Sequence, residues 1–407
     1  MISIVLGLLI LSALITLLVN LNRNNDELTK TNRMIENGRV AVQLLESDIV
    51  HAGYWGGFVP RFDDLINAAI PNDAPTGNPP DPCQAYGAAW NVAAYRNGLI
   101  GVPLHSYEVV SPVPVPAIPV CAAAGVGPVQ NAVGNSDVVV VRFAEKCTTD
   151  CLTAAPAGNQ ALFMQVQRCG STLANLNYEL AQSGFTFQNV RCNGPSELRR
   201  FTSKIYFVAT VAGSPVLMVS EFGVVGGLPA FQPAQPLVDG IESIRIEYGL
   251  DTLSRTGAVV QPAAAITWAD PTNEKTPTNR GDGVPDGNFV RCTSAVPCTA
   301  EQLSNAVVAR IHVLARAEQA SPGYTDTKTY DLGGVTLGPF GDRFKRHPRQ
   351  AGAKEPQREE ICLRPFGIGI FGRPQFHNGY QRKPIRLTEY VYSKYLLIFL
   401  WRVAVFI

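Results

Sequence analysis

The residues of this 407-residue chain best suited to chemistry are a short acidic loop and a set of cysteines. Asn279-Arg280-Gly281-Asp282-Gly283-Val284-Pro285-Asp286-Gly287 resembles a calcium loop, in which oxygen ligands alternate and a glycine after an aspartate permits a sharp turn. With Asp282-Gly283 set at the usual Asp-Gly step, Thr278 and Arg280 fall where acidic ligands belong, so only Asp282 and Asp286 remain as carboxylates for a cation. A plain Asp-Gly turn between strands uses the same residues and is the commoner outcome. Arg280-Gly281-Asp282 also spells an integrin-binding tripeptide, but any three residues recur by chance.

Eight cysteines (Cys83, Cys121, Cys147, Cys151, Cys169, Cys192, Cys292 and Cys298) are spread through loop-rich sequence, and a ninth, Cys362, lies near the end. An even set of this kind points to disulfides formed outside the cytoplasm. Spacing favours Cys147 with Cys151, Cys169 with Cys192 and Cys292 with Cys298, although eight cysteines allow 105 pairings. Zinc is disfavoured, because no C-x2-C pair occurs and His51, His105, His312, His347 and His377 fall in no ligand spacing. Catalysis has no anchor either, since there is no G-x-S-x-G elbow, no H-E-x-x-H and no P-loop. His51 reads as a packing or capping residue and His312 as a solvent-facing position on a strand.

The elements that must position these residues begin with an unbroken apolar run, Ile2 to Val19, spanning roughly 27 Å against a bilayer core of roughly 30 Å. A secretory signal peptide would need a basic n-region and a small-residue exit, and neither is present. The run is read as a membrane anchor over 1–19. It passes into an amphipathic helix over 20–52, with Leu28, Thr31, Ile35, Gly38, Val42, Leu45 and Ile49 on one stripe. Gly53, Gly56 and Gly57 around Tyr54 and Trp55 end it. Tyr54 and Trp55 are expected to anchor the helix exit, and Glu36 with Arg39 to pair locally and help seat the helix.

From Pro60 to Ser136 the composition is rich in Pro, Gly, Ala and Asn, which predicts surface loops stapled by Cys83 and Cys121. Strands are predicted over 137–145, 161–169, 200–210, 215–225, 240–251 and 306–318, where β-branched runs alternate with turn signals. The fold class is therefore α+β: one long helix packed on an antiparallel sheet domain with long disulfide-stapled loops, the domain spanning 53–347. Residues 348–407 carry 10 Lys+Arg against 4 Asp+Glu, whereas the rest of the chain is net acidic. That argues against nucleic-acid binding by the main domain and sets the end apart as an atypical basic tail, disordered or frame-shifted near His347.

Met1 to Val19 followed by Thr31 to Gly56 (TNRMIENGRVAVQLLESDIVHAGYWG) resembles the type IV pilus assembly PilW family of minor pilins, through Glu36-Asn37-Gly38-Arg39, Asp48 and the AGYWG ending. Leu237 to Asp251, Val307 to Glu318, Thr329 to Gly334 and Asp342 to His347 extend the likeness. The resemblance implies a non-catalytic subunit held in the inner membrane by one helix, with a periplasmic domain, built with other minor pilins and the major pilin into the tip or priming complex of a pilus, and meeting a tip adhesin. It implies no cofactor, calcium at Asp282 and Asp286 being the one exception to test. It also implies a short basic leader cut by prepilin peptidase, all upstream of Met1, so a truncated start is expected. Arg23, Lys30 and Arg33 behind the anchor would hold the domain in the cytoplasm by the positive-inside rule. The body cysteines outweigh them. The same architecture also fits a type II secretion pseudopilin, and a surface adhesin or calcium-dependent binding module is the reading of a different class.

Overall fold

The computed structural model describes residues 2–65, 69–111, 113–115, 121, 127–147, 161–170, 177–351 and 361–362. One helix, α1 (Ile2–Ile49), runs without a break from the apolar run into the amphipathic stretch. A 3-10 turn (Ala88–Asn91) and α2 (Ala93–Gly101) precede the first strands, β1 (Leu104–Ser111), β2 (Val113–Val115) and β3 (Ser136–Lys146). There follow β4 (Phe163–Val166), β5 (Tyr178–Ala181), β6 (Leu198–Val211), β7 (Ser214–Val225), β8 (Leu228–Phe231), β9 (Gln235–Asp239) and β10 (Ile241–Leu250). The chain continues through α3 (Ala300–Ser304), β11 (Ala306–Arg316), β12 (Tyr330–Asp331), β13 (Thr336–Leu337), β14 (Arg346–Ala351) and β15 (Ile361–Cys362).

Nine strands form an antiparallel sheet in the order β2-β1-β3-β6-β4-β5, with β7 also on β6 and carrying β8 and β9. A second sheet has the order β10-β11-β14, with β15 on β11. The run Val138 to Val141 on β3 is apolar throughout because both faces are covered. Val139, Val141 and Phe143 join the core that holds α1, while Val138 and Val140 pack with Tyr107, Ile205 and Phe207 near Cys121. On β11 the alternation works the same way: Ala309, Ile311, Val313 and Ala315 belong to the α1 core.

The two sheets meet where β3 reaches the open edge of β10. Ile244 N donates to Ser136 Oγ at 3.1 Å and Ile246 N to Asp137 Oδ2 at 3.0 Å, so side chains of one sheet satisfy edge amides of the other. The buried Asp137 is neutralised by Arg291 at 2.8 Å and Arg245 at 3.4 Å, and Arg291 also reaches Glu108 at 2.9 Å. Breaking such a network leaves an uncompensated buried charge, which costs about 3–5 kcal/mol.

Disulfides join Cys83 to Cys121, Cys169 to Cys192 and Cys292 to Cys298 among the described residues. Cys147 is also disulfide-bonded, and Cys151 lies outside the described residues. Cys362 enters by its backbone, in register with Val308.

Several expectations need correction. The stretch from Pro60 to Ser136 is more than surface loop: it holds α2 and β1, and Trp90, Leu99, Ile100, Val102 and Leu104 are buried. Its prolines stand outside those two elements, which hides them in the composition. His312 does not face solvent; it is 7 % exposed, with Nε2 2.8 Å from Glu247 Oε2, because loops cover the outer face of β11. Leu332 and Leu337 pack there on Leu314. Leu28 is 61 % exposed, so the seating stripe starts later, at Met34. β14 pairs with β11 through Ala351, so the sheet takes in Pro348 to Ala351, beyond the boundary read at His347 from the change in charge. The remainder of 348–407 lies outside the described residues apart from the pair in β15.

The close approach of helix to sheet turns on Gly38, where an added Cβ would sit 3.2 Å from Ala315 Cβ. Gly38→Val is expected to lower stability by about 1–3 kcal/mol through overpacking, read as a drop in Tm. The buried Tyr206 hydroxyl donates to Asp48 Oδ2, joining the end of α1 to β6. Tyr206→Phe should therefore cost about 1.5–3 kcal/mol in chemical denaturation, the range for a hydrogen bond to a charged group.

Candidate assembly surface

α1 behaves as two helices in one. From Ile4 to Leu21 every described large apolar side chain is at least 50 % exposed. Among the described residues this is the one helix long and apolar enough to cross a membrane. Its hydroxyls are satisfied within the helix, Ser12 Oγ donating to Leu9 O at 2.9 Å and Thr16 Oγ1 to Ser12 O at 2.8 Å. An apolar surrounding requires that internal satisfaction.

The second half is packed. Met34, Gly38, Ala41, Val42, Leu45 and Ile49 form the buried stripe, at the i, i+4, i+7 spacing of one helix face. Each large member contributes about 1.5–3 kcal/mol by burial. Asn37 Nδ2 donates to Asp239 O at 2.9 Å, closing the end of β9. Lys204 Nζ adds a contact to Asp48 at 2.9 Å. Burial and the neighbouring Asp48 carboxylate hold the Tyr206 hydroxyl far above its ordinary pKa, so it stays a donor.

The exit of α1 is a knot of aromatic and guanidinium groups. Gly53 N donates to Arg142 O at 3.0 Å and Ala144 N to Tyr54 O at 2.7 Å, fastening the turn along β3. Trp55, 2 % exposed, donates from Nε1 to Ile100 O at 3.0 Å and stacks on Phe201 with centroids 6.2 Å apart. Tyr54 lies under the Arg199 guanidinium at 5.0 Å. Gly56 and Gly57 adopt φ of 65° and 88°, and a Cβ on Gly57 would fall 2.1 Å from Arg168 Nη2, the group that donates to Gly56 O at 2.6 Å. The positive φ at both positions favours glycine, and a Cβ on Gly57 would also displace the Arg168 guanidinium.

Glu36 and Arg39 bond each other, Nε to Oε2 at 2.9 Å and Nη2 to Oε1 at 2.5 Å, on the exposed side of α1. The Arg39 guanidinium holds the Glu36 carboxyl below its usual range. Within the chain the seating is done by their neighbours Asn37 and Gly38. The signal for Gly38 was its place on the apolar stripe; nothing in the sequence marked Arg168 or Arg199.

Asp282 and Asp286 sit in turns. Asp286 Oδ2 accepts from Thr252 N at 2.8 Å and Leu253 N at 2.7 Å, and Asp282 Oδ1 from Val284 N at 3.0 Å. Arg280 is buried, donating to Gln261 O at 2.8 Å and Ala264 O at 2.7 Å. Among the described residues the one acidic and sulfur group at metal-ligating distances is Asp81 with Cys83 and Cys121, whose sulfurs are spent in their disulfide.

Where the packed half of α1 gives way to the apolar half, a rim of the domain holds it. Arg23 Nη2 donates to Pro322 O at 2.7 Å, Arg33 pairs with Glu318 at 3.3 Å, and Glu27 receives Lys345 at 2.7 Å, Ser321 Oγ at 2.6 Å and Lys30 at 3.1 Å. Hydrogen bonds from Lys345 and Ser321 draw the Glu27 carboxyl down to about 2. A depressed carboxyl stabilises the fold above its ordinary pKa and loses that contribution as pH falls through the folded value. Amide exchange around Glu27, corrected for intrinsic rate, is therefore expected to rise between the ordinary glutamate range and pH about 2. Glu27→Gln should remove that pH dependence.

Residues 205–351 match the model of the family described as Type IV Pilus-assembly protein W. No curated protein and no solved structure matches. The match begins inside β6, ends on the last residue of β14 and takes in the whole β10-β11-β14 unit, along with the rim residues Pro322 and Lys345; α1 lies outside it. The matched part thus includes the sheet that seats the helix through Ala315 and the neighbouring Lys345 that grips it, and over this part the chain is similar to the PilW family of type IV pilus assembly.

Proposed function

We propose that this protein is a minor pilin of the PilW type, a non-catalytic subunit of the tip or priming complex. The observation that carries this reading is the abrupt change along one unbroken helix, packed from Met34 onward and bare from Leu21 back. A water-exposed apolar helix of about 20 residues is costly, and it becomes favourable in two settings the subunit would visit in turn. One is the inner membrane before assembly, and the other is a bundle of partner helices after it. Gly7, Ser12 and Ala13 give that half small positions where the backbones of other minor pilins and the major pilin can come close.

The disulfides support a periplasmic placement of the domain, because such bonds persist in oxidising compartments. The Arg23, Lys30 and Arg33 side chains that would favour a cytoplasmic domain have partners in the rim, which gives them a structural reason to follow the anchor. A pseudopilin of type II secretion would use the same anchor, and the family match favours the pilus. Deletion of the gene is expected to reduce surface pili and twitching. Complementation with the full chain should restore both, and a version lacking residues 2–19 should restore neither; normal piliation in the deletion strain would refute the assignment.

A further inference from the structure

The rim that grips α1 is set at a particular height. Arg23 bonds Pro322 O, and Arg23 is two residues, about 3 Å of helix rise, beyond Leu21, the last apolar residue of the bare half. If the bare half occupies a bilayer, the turn Pro322-Gly323 stands at the level of the lipid headgroups. The backbone brings more of the rim alongside: Ser321 N donates to Arg343 O at 2.8 Å, and Gly341 N to Asp326 O at 2.9 Å.

The chemistry of this rim is sorted by charge. Its acids are largely taken up inside: Glu27 by Lys345 and Lys30, and Asp326 and Asp342 by Arg346 at 2.9 and 2.6 Å. Asp26 alone among the nearby acids on α1 remains exposed without a bonded cation among the described residues. Arg23 and Arg343 stay exposed, and the Arg343 guanidinium has no ion pair among the described residues. Beside them are Pro322, the partly exposed Tyr324, and Phe340, a residue 37 % exposed although the Arg346 guanidinium lies over its ring at 3.7 Å. Basic groups interleaved with aromatic rings, one turn from an apolar helix, are what an anionic lipid surface recognises.

We infer that residues 319–326 and 340–345 form a membrane-docking rim that rests on anionic phospholipid headgroups and fixes the stance of the domain before it is drawn into a fibre. This rests on the anchor reading above. Docking adds a second contact to the one made by the helix, so the tilt that the helix and the domain packed on it take at the surface is fixed.

The test is hydrogen–deuterium exchange of the full chain in nanodiscs of phosphatidylcholine, with and without phosphatidylglycerol. Residues 2–21 should be protected in both. The segment 319–326 should be slowed further only where phosphatidylglycerol is present. Arg343→Ala, a change that removes no side-chain bond among the described residues, should reduce the docked-to-free ratio roughly fivefold, the effect of one basic residue at an anionic surface. Raised ionic strength should weaken the effect similarly. Protection of 2–21 with no lipid-dependent change at 319–326 would overturn the docking rim and leave the anchor standing. Free exchange of 2–21 in both nanodiscs would overturn both.

Discussion

The structure depends on one seam, the contact of the second half of α1 with a core shared by both sheets. That core includes Ile244, Ile246 and Ala309 from the smaller sheet and Val139, Tyr206 and Leu217 from the larger one. Without the helix these two surfaces would lose the apolar element packed between them. The helix in turn would have nothing to hold its buried stripe. Gly38 sets how closely the seam closes, and the Asp48 contacts to Tyr206 and Lys204 set its register along the axis. Apolar burial supplies most of the free energy, and the polar contacts determine which of several similar helix positions is adopted.

How much of this was legible in the sequence follows from how each element signals itself. The helix, the valine run of β3 and the long strands β6, β7, β10 and β11 were readable because their periodicity is sustained over ten or more residues. β1 and α2 were not, since they are short and lie among prolines and glycines whose turn signals dominate any window. His312 misled because alternation reports two faces but not what covers each. Its cover is the turn at Gly333, brought back from downstream, with Glu247 of β10 beside it. The pairing of Tyr54 with Arg199 and of Gly57 with Arg168 depends on contacts across more than a hundred residues, and no local pattern encodes such contacts.

Under the periplasmic placement proposed above, the basic residues after the apolar run depart from a statistical rule for a physical reason. The positive-inside tendency describes charges that are free to prefer one side of a membrane. Arg23, Lys30 and Arg33 are engaged instead, by Pro322, Ala320 and Glu318. Their cost of staying near the apolar segment is offset by bonds to the folded domain. The same contacts place the rim next to the bare helix, so retention of the domain and its height above the anchor have a common origin.

The insertion of Ser136 and Asp137 side chains onto the amides of Ile244 and Ile246 has a further result. A strand with idle amides invites pairing with a strand from another molecule. By occupying those donors from within, β3 blocks this stretch of the β10 edge against its own kind. On the reading proposed above, copies that crowd together before assembly would not fuse through this edge into misordered aggregates.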